Sequence, residues 1–172
     1  MLGFYENFPV NVHLIQTYAA TLSKSKLQQK LAQTILAVNR KTLSFEEISH
    51  PTVPGCDVIL EWGIADASNF CFLNPQEAQK LMEAVAEEPL KVMDWFCAVR
   101  YYKNAKGKKT PLKFDYFMLR VGFGEHGAVE FQVHHERGPR YTSPEELLNF
   151  VVSRVNGSAA RKILKPLESE SA

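Results

Sequence analysis

The fold of this chain is decided by residues 92–135, which read VMDWFCAVRYYKNAKGKKTPLKFDYFMLRVGFGEHGAVEFQVHH. Within this stretch, residues 92–102, 112–121 and 128–135 are rich in the aromatic and β-branched residues that favour strands. The segments between them are short and contain turn-forming residues, and short connections join antiparallel neighbours. The stretch therefore predicts a three-stranded antiparallel meander.

A capped helix is predicted directly after the meander. Ser143 is a typical N-cap, Pro144 suits the first helical position, and Glu146 completes a capping box. Apolar residues then recur at helical spacing until Asn156 and Gly157, so this helix should lie across the sheet. Its inward face consists of Leu147, Leu148, Val151, Val152 and Val155.

Two further helices are predicted upstream of the meander. Ser25, with a glutamine three residues later, forms a capping box before an apolar helical stripe in residues 26–39. Asn74 and Pro75 begin the second helix, whose apolar stripe stops near Pro89.

The remaining strands are less regular. Residues 57–65 and 70–73 form a candidate hairpin around a polar turn. Residues 12–22 fit both a helical stripe and a strand composition, and we interpret them as a strand. Residues 41–55 contain two prolines and predict a surface loop.

Composition indicates an ordinary globular protein of 172 residues with a formal net charge of +1. Together with the elements above, it predicts a single α+β domain, mainly antiparallel sheet with about three helices, over residues 1–166. Residues 167–172 are predicted to be a disordered acidic tail. The near-zero charge provides no overall field toward nucleic acid or membrane, so such an attraction would need a local patch.

The cysteines point to a reducing compartment. Cys56, Cys71 and Cys97 are odd in number, widely spaced and set in apolar surroundings. They predict reduced core thiols rather than a disulfide framework. No apolar run reaches signal-peptide or membrane-spanning length, so we expect a cytoplasmic protein without membrane contact.

One glycine motif resembles a nucleotide-binding turn in spacing only. Gly122, Gly124 and Gly127 spell G-x-G-x-x-G, but the dinucleotide fingerprint must open a helix, and a strand follows here. The protein-kinase loop fits the local hairpin, yet the other kinase motifs are missing. The motif therefore predicts a hairpin loop, and no cofactor is predicted.

The densest polar chemistry lies at the end of the last strand, in His134, His135, Glu136 and Arg137. Adjacent strand residues point to opposite faces, so the two histidines cannot both ligate one metal without a bulge between them, and no metal site is predicted. With His126 from the glycine loop swinging across the hairpin, His134 and Glu136 would permit acid–base chemistry.

A basic turn follows this cluster. Arg137 and Arg140 could grip a carboxylate or phosphate. The simpler structural interpretation is that they pair with Glu136, Glu145 or Glu146.

Charge is most asymmetric at the predicted hairpin tip, residues 104–111, which should be an exposed, mobile loop. The stretch around it holds six basic residues and no acid: Arg100, Lys103, Lys106, Lys108, Lys109 and Lys113. Lysines at a hairpin also keep sheet edges from pairing with other chains, so a solubilising loop is the structural alternative.

The meander should have two different faces. One is apolar and forms the core: Trp95, Cys97, Val99, Phe117, Leu119, Val121, Val129, Phe131 and Val133. The other mixes rings with charges: Phe96, Arg100, Tyr102, Phe114, Tyr116, Met118, Arg120, Glu130, Gln132 and His134. Rings that stack on bases beside cations that contact phosphates are how open sheets bind single-stranded nucleic acid. Such a face also suits a protein interface, including one with a second copy of this chain.

The leading hypothesis is a non-catalytic binding module for nucleic acid or a protein partner. Its candidate binding residues are Arg100, Tyr102, Lys103, Lys106, Lys108, Lys109, Lys113, Tyr116, Arg120, Arg137 and Arg140. The alternative is a small enzyme or a metabolite- or nucleotide-binding domain beside the glycine loop, with His126, His134 and Glu136 as its catalytic candidates.

Overall fold

The computed structural model describes residues 1–49, 56–157 and 159–167. This part of the chain forms one eight-stranded antiparallel sheet and three helices, which confirms the predicted α+β fold. The strands are β1 (Leu14–Ala20), β2 (Thr42–Ser44), β3 (Cys56–Asp66), β4 (Asn69–Phe72), β5 (Val92–Ala105), β6 (Lys108–Phe123), β7 (Ala128–Arg137) and β8 (Leu164–Pro166). The helices are α1 (Lys24–Val38), α2 (Pro75–Glu87) and α3 (Pro144–Gly157).

The predicted meander is the centre of the sheet. The strand order is β2-β3-β5-β6-β7-β1-β8, and β4 pairs with the far end of β3. The pairing of β1 with β7 confirms the strand interpretation of residues 12–22. None of the helices in the described ranges is long and apolar enough to cross a lipid bilayer.

The core lies on the predicted face of the meander. Trp95, Phe117 and Phe131 are fully buried there, and Leu31 of α1 and Leu81 of α2 belong to the same apolar cluster. Because all three helices contribute to this one cluster, they lie on one side of the sheet.

The predicted caps are confirmed at α2 and α3 and displaced at α1. Asn74 accepts a hydrogen bond from the amide of Glu77 (2.7 Å), and Ser143 and Glu146 form the reciprocal capping box. Helix α1 is capped by Ser23, two residues before the predicted cap. The Ser25 hydroxyl instead donates to the carbonyl of Val85 (2.7 Å), so it joins α1 to the end of α2.

Two predicted loops are partly wrong because strands run into them. Residues 42–44 of the predicted loop 41–55 pair with β3, while residues 50–55 lie outside the described residues. The predicted mobile loop 104–111 is a continuation of β5 and β6, which close in a two-residue turn of Lys106 and Gly107. Both turn residues have positive φ angles (54° and 76°), the geometry of a tight hairpin that follows the twist of its strands.

The C-terminal segment forms an edge strand that the sequence pattern does not reveal. Leu164, Lys165 and Pro166 pair with β1, and the amide of Leu167 donates to the carbonyl of Thr17 (3.0 Å). The remainder of the predicted acidic tail, residues 168–172, lies outside the described residues.

Candidate functional site

The sheet face opposite the helices is the candidate site. The register pairs Phe96 with Met118 and Arg100 with Phe114, so these side chains share that face as the sequence predicts. Asp94, paired with Arg120, lies on the same face, which the sequence analysis did not predict. In β7, Glu130, Gln132 and His134 continue the same face. We call it the open face, because the helices in the described ranges all pack on the other side.

An aromatic stripe crosses the open face. The ring centroids of Tyr5 and Phe70 are 4.6 Å apart, those of Phe70 and Phe96 are 5.7 Å apart, and those of Phe96 and Tyr116 are 5.2 Å apart. Phe114 ends the stripe, 4.7 Å from Tyr116, and is 37% exposed. These five residues are the aromatic stripe below; Tyr5 and Phe70, from the N-terminus and the edge strand β4, were missed by sequence reasoning.

A glycine makes the stripe continuous. A Cβ atom at Gly63 of β3 would lie 3.2 Å from the carbonyl oxygen of Cys71 and 3.4 Å from Cβ of Phe70. A side chain there would press on Phe70 from the strand between β4 and β5. The bare backbone instead lets Phe70 reach Phe96 across it.

The arginines at the two ends of the central strands are used within the protein. The Arg120 guanidinium makes two hydrogen bonds to the buried carboxylate of Asp94, at 2.7 and 2.9 Å, and lies over the rings of Phe4 and Phe8. Asp94 also accepts from the amide of Tyr5 (2.7 Å). This ion pair therefore holds the N-terminal segment on the open face, and Arg120, a predicted binding residue, has a structural role. Arg100 likewise pairs with Glu61 at 2.9 Å.

The lysines of the β5–β6 hairpin lie on both faces of the sheet. The register places Tyr102 and Lys109 on the open face, where the Lys109 ammonium donates to the Thr42 hydroxyl (3.1 Å). Lys103 and Lys108, one residue out of phase, belong to the opposite face. Lys106 occupies the turn. Only some of the predicted hairpin lysines therefore lie on the same face as the aromatic stripe.

A buried polar cluster lies on the helix side of β6. The Asp115 carboxylate, fully buried, accepts hydrogen bonds from the Tyr101 hydroxyl (2.5 Å) and the amides of Arg140 (2.7 Å) and Tyr141 (3.0 Å), and pairs with the His135 ring (2.8 Å). These bonds fix the segment after β7 against β6. Burial and the adjacent carboxylate raise the pKa of Tyr101 far above its usual range, so its hydroxyl stays a donor.

His13 and His134 lie together at one end of β7, and His126 lies at the other end. His13 stacks on His134 (centroids 4.7 Å apart), and His134 lies 3.2 Å from the Glu136 carboxylate. Partial desolvation and then the Arg140 charge lower the pKa of His13, whose side chain is exposed. His126 stands at the opposite end of β7, about 20 Å away at the usual rise per residue, so it does not meet His134.

The basic turn does not form its expected ion pairs. Within the described part of the chain, neither Arg137 nor Arg140 forms an ion pair with a carboxylate; the Arg140 Nε atom approaches His135 Nδ1 (3.4 Å). Pairing with Glu136, Glu145 or Glu146 was therefore wrong. Arg137, exposed and opposite Tyr116 in the ladder, lies at the open face.

The thiols do not form a reactive site. Cys56 and Cys97 are buried, and burial raises the pKa of both, so neither is an activated nucleophile. Cys71 is exposed on β4, which corrects its prediction as a core thiol. Among the described residues, no group of three or more His, Cys, Asp or Glu side chains is arranged to hold a metal ion.

Comparison with known proteins adds no family to this picture. No protein-family model matches the chain, and no curated protein or solved structure is significantly similar to it.

Proposed function

We propose that this protein is a non-catalytic binding module that holds single-stranded nucleic acid on its open face. The observation that supports the proposal is the aromatic stripe, in which five rings contact one another in sequence. Bases stack on such rings at about 1–3 kcal/mol per base, whatever their identity. Phosphates would be met by Lys109, Lys113 and Arg137 around the far end of the stripe.

Because two arginines of the open face are paired with carboxylates, we expect weak preference for nucleotide sequence. Arg100 and Arg120 are engaged with Glu61 and Asp94, so they have little capacity left to read base edges. Stacking and phosphate contacts remain, and both are tolerant of sequence. We therefore expect binding to single strands in preference to duplexes, in which the base faces are already stacked.

Fluorescence anisotropy with a labelled single-stranded 12-mer tests the proposal. Phe96→Leu and Tyr116→Leu keep apolar volume but remove a flat ring, and each should weaken binding by about 1 kcal/mol or more, at least roughly fivefold. Ile15→Ala is the matched control, because Ile15 is 58% exposed in β1 and lies outside the stripe. The wild-type affinity should fall as salt rises.

Two results would contradict this function. Equal affinities of wild type and both ring variants would remove the stripe from the binding surface. Absence of oligonucleotide binding at low salt, together with a dimer in analytical ultracentrifugation that Phe96→Leu dissociates, would make the open face an interface between copies of this chain.

The catalytic alternative has no comparable support. Its three candidates are divided between the ends of β7, with His126 at one end and His134 and Glu136 at the other.

A further inference from the structure

A groove ends the aromatic stripe at Phe114. It has a volume of about 450 Å³, and its walls come from the first half of β6 and from the end of β7 with the residues that follow it. The lining residues are Leu112, Lys113, Phe114, Arg137, Gly138 and Pro139.

The groove is shaped by irregularities on both sides of Phe114. The β5–β6 register shifts between Arg100 and Tyr102, and the β6–β7 register shifts between Tyr116 and Phe117. Bulges of this kind redirect side chains and bend a strand, and they are common beside functional sites.

The wall formed by residues 137–139 is held against β6. Gly138 has a φ of 118°, and a Cβ atom there would clash with the carbonyl oxygen of Phe114, so the chain passes directly against β6. The amide of Arg140, two residues after Gly138, donates a hydrogen bond to the Asp115 carboxylate (2.7 Å). The wall that contains Arg137 and Pro139 is thus fixed by buried contacts before any ligand arrives.

The chemistry of the groove combines an apolar floor with positive charge. Lys113 and Arg137 are exposed and form no ion pair with the described residues, in contrast to Arg100 and Arg120. A guanidinium matches the geometry of a phosphate, and a lysine adds a point charge. Phe114 supplies a partly exposed ring between them.

We infer that this groove binds one nucleotide unit of the strand, with its base against Phe114 and its phosphate held by Lys113 and Arg137. The inference rests on the proposed function and assigns the end of the bound strand to a particular place. Lys113 and Arg137 distinguish this position, because the arginines of the central strands, Arg100 and Arg120, are paired with carboxylates.

The test is the salt dependence of 12-mer binding by the Lys113→Gln/Arg137→Gln double variant. Each neutralised phosphate of a single strand contributes about 0.7 to the magnitude of the slope of log Kobs against log salt, so losing the one phosphate held in the groove should reduce that magnitude by about 0.7. The control is Lys162→Gln/Lys165→Gln, which removes the same charge from a groove of similar volume, about 450 Å³, that is lined by Thr21, Arg161, Lys162 and Lys165. The control slope should stay at the wild-type value.

The outcomes separate the two proposals. If the groove variant keeps the wild-type slope while Phe96→Leu and Tyr116→Leu lose affinity, the groove assignment is overturned and the proposed function stands. Equal slope changes in the groove and control variants would show a general charge effect and also overturn the assignment. If the ring variants and the groove variant all bind as wild type does, both proposals fail.

Discussion

At the scale of single residues, the best-defined feature is the hydroxyl chain that ends on Asp115. Ser49 donates to Thr142 (3.1 Å), so the Thr142 hydroxyl is left to donate to Tyr101 (2.9 Å), whose own proton goes to the Asp115 carboxylate (2.5 Å). Each hydroxyl has only one proton, and this order is the one that satisfies all three. The chain joins the segment after β7 to the sheet beneath α3.

Tyr101→Phe should lower the free energy of unfolding by about 1.5–3 kcal/mol, because it removes the donor to a buried carboxylate. Urea denaturation at pH 7.5 measures the loss. Tyr18→Phe is the control, since Tyr18 is buried but its hydroxyl has no hydrogen-bond partner among the described residues. Equal stabilities of Tyr101→Phe and wild type would show that the carboxylate is satisfied without this hydroxyl.

His13 makes stability depend on pH. Its Nδ1 atom accepts the amide of His135 (2.9 Å), which requires an unprotonated nitrogen there. The pKa of His13 is lowered from 6.5 by partial desolvation and then by Arg140, with smaller contributions from His134 and His135 opposed by Glu145. The unfolded chain therefore binds the proton more readily, and stability is lost as pH falls below 6.5.

The measurement is urea unfolding of wild type and His13→Asn between pH 7.5 and 5. Asparagine can still accept a hydrogen bond but does not titrate, so the variant should lose less stability than wild type on acidification. His126→Asn is the control, because His126 is exposed at a positive φ of 56° that asparagine tolerates, and its pH profile should match wild type. Parallel profiles for His13→Asn and wild type would exclude His13 as the group responsible.

At the scale of elements, the turn between β5 and β6 is a two-residue hairpin with its less suitable residue first. Lys106 has a φ of 54°, a region that costs a lysine more than an asparagine. Lys106→Asn should therefore raise the free energy of unfolding by about 0.5 kcal/mol, and Gly107→Ala, at a φ of 76°, should lower it by about 1 kcal/mol. Thermal unfolding followed by circular dichroism compares them, and a stabilising Gly107→Ala would contradict the turn geometry.

The elements that the sequence reveals are those with long, regular patterns. The meander and the capped helices α2 and α3 repeat their periods over ten or more residues, so propensity, caps and alternation agree. Strands β2 and β8 have three residues each, too few for a period, and depend on pairing with β3 and β1. The hairpin tip was predicted as a loop because its two strand ends are polar and exposed on both faces, so they lack the apolar–polar alternation of a half-buried strand.

The same limit applies to the candidate site. Alternation within the meander correctly places Phe96, Tyr116 and Phe114 on one face. It cannot reveal Tyr5 and Phe70, because their approach depends on which segments neighbour the meander in space. The pairing of β1 with β7, which brings His13 to His134, is likewise a long-range contact without a local pattern.

At the scale of the whole molecule, one core serves the three helices and every described strand except β4, which contributes no residue to it. Trp62 in β3 and Trp95 in β5 are fully buried and meet edge to face, with ring centroids 6.4 Å apart. Helices α1, α2 and α3 contribute buried residues to the same cluster. Because the helices cover only one face of the sheet, the helices and the two tryptophans are stabilised by the same layer of buried residues.

Unfolding should therefore be a single cooperative transition. Tryptophan fluorescence reports on the centre of the sheet and far-ultraviolet circular dichroism at 222 nm reports mainly on the helices, so the two urea curves should coincide in midpoint and slope. Phe96→Leu serves as a control, since a change on the open face should leave the coincidence intact. Separate midpoints for the two probes would show that the helical layer unfolds independently of the sheet, and would contradict a single shared core.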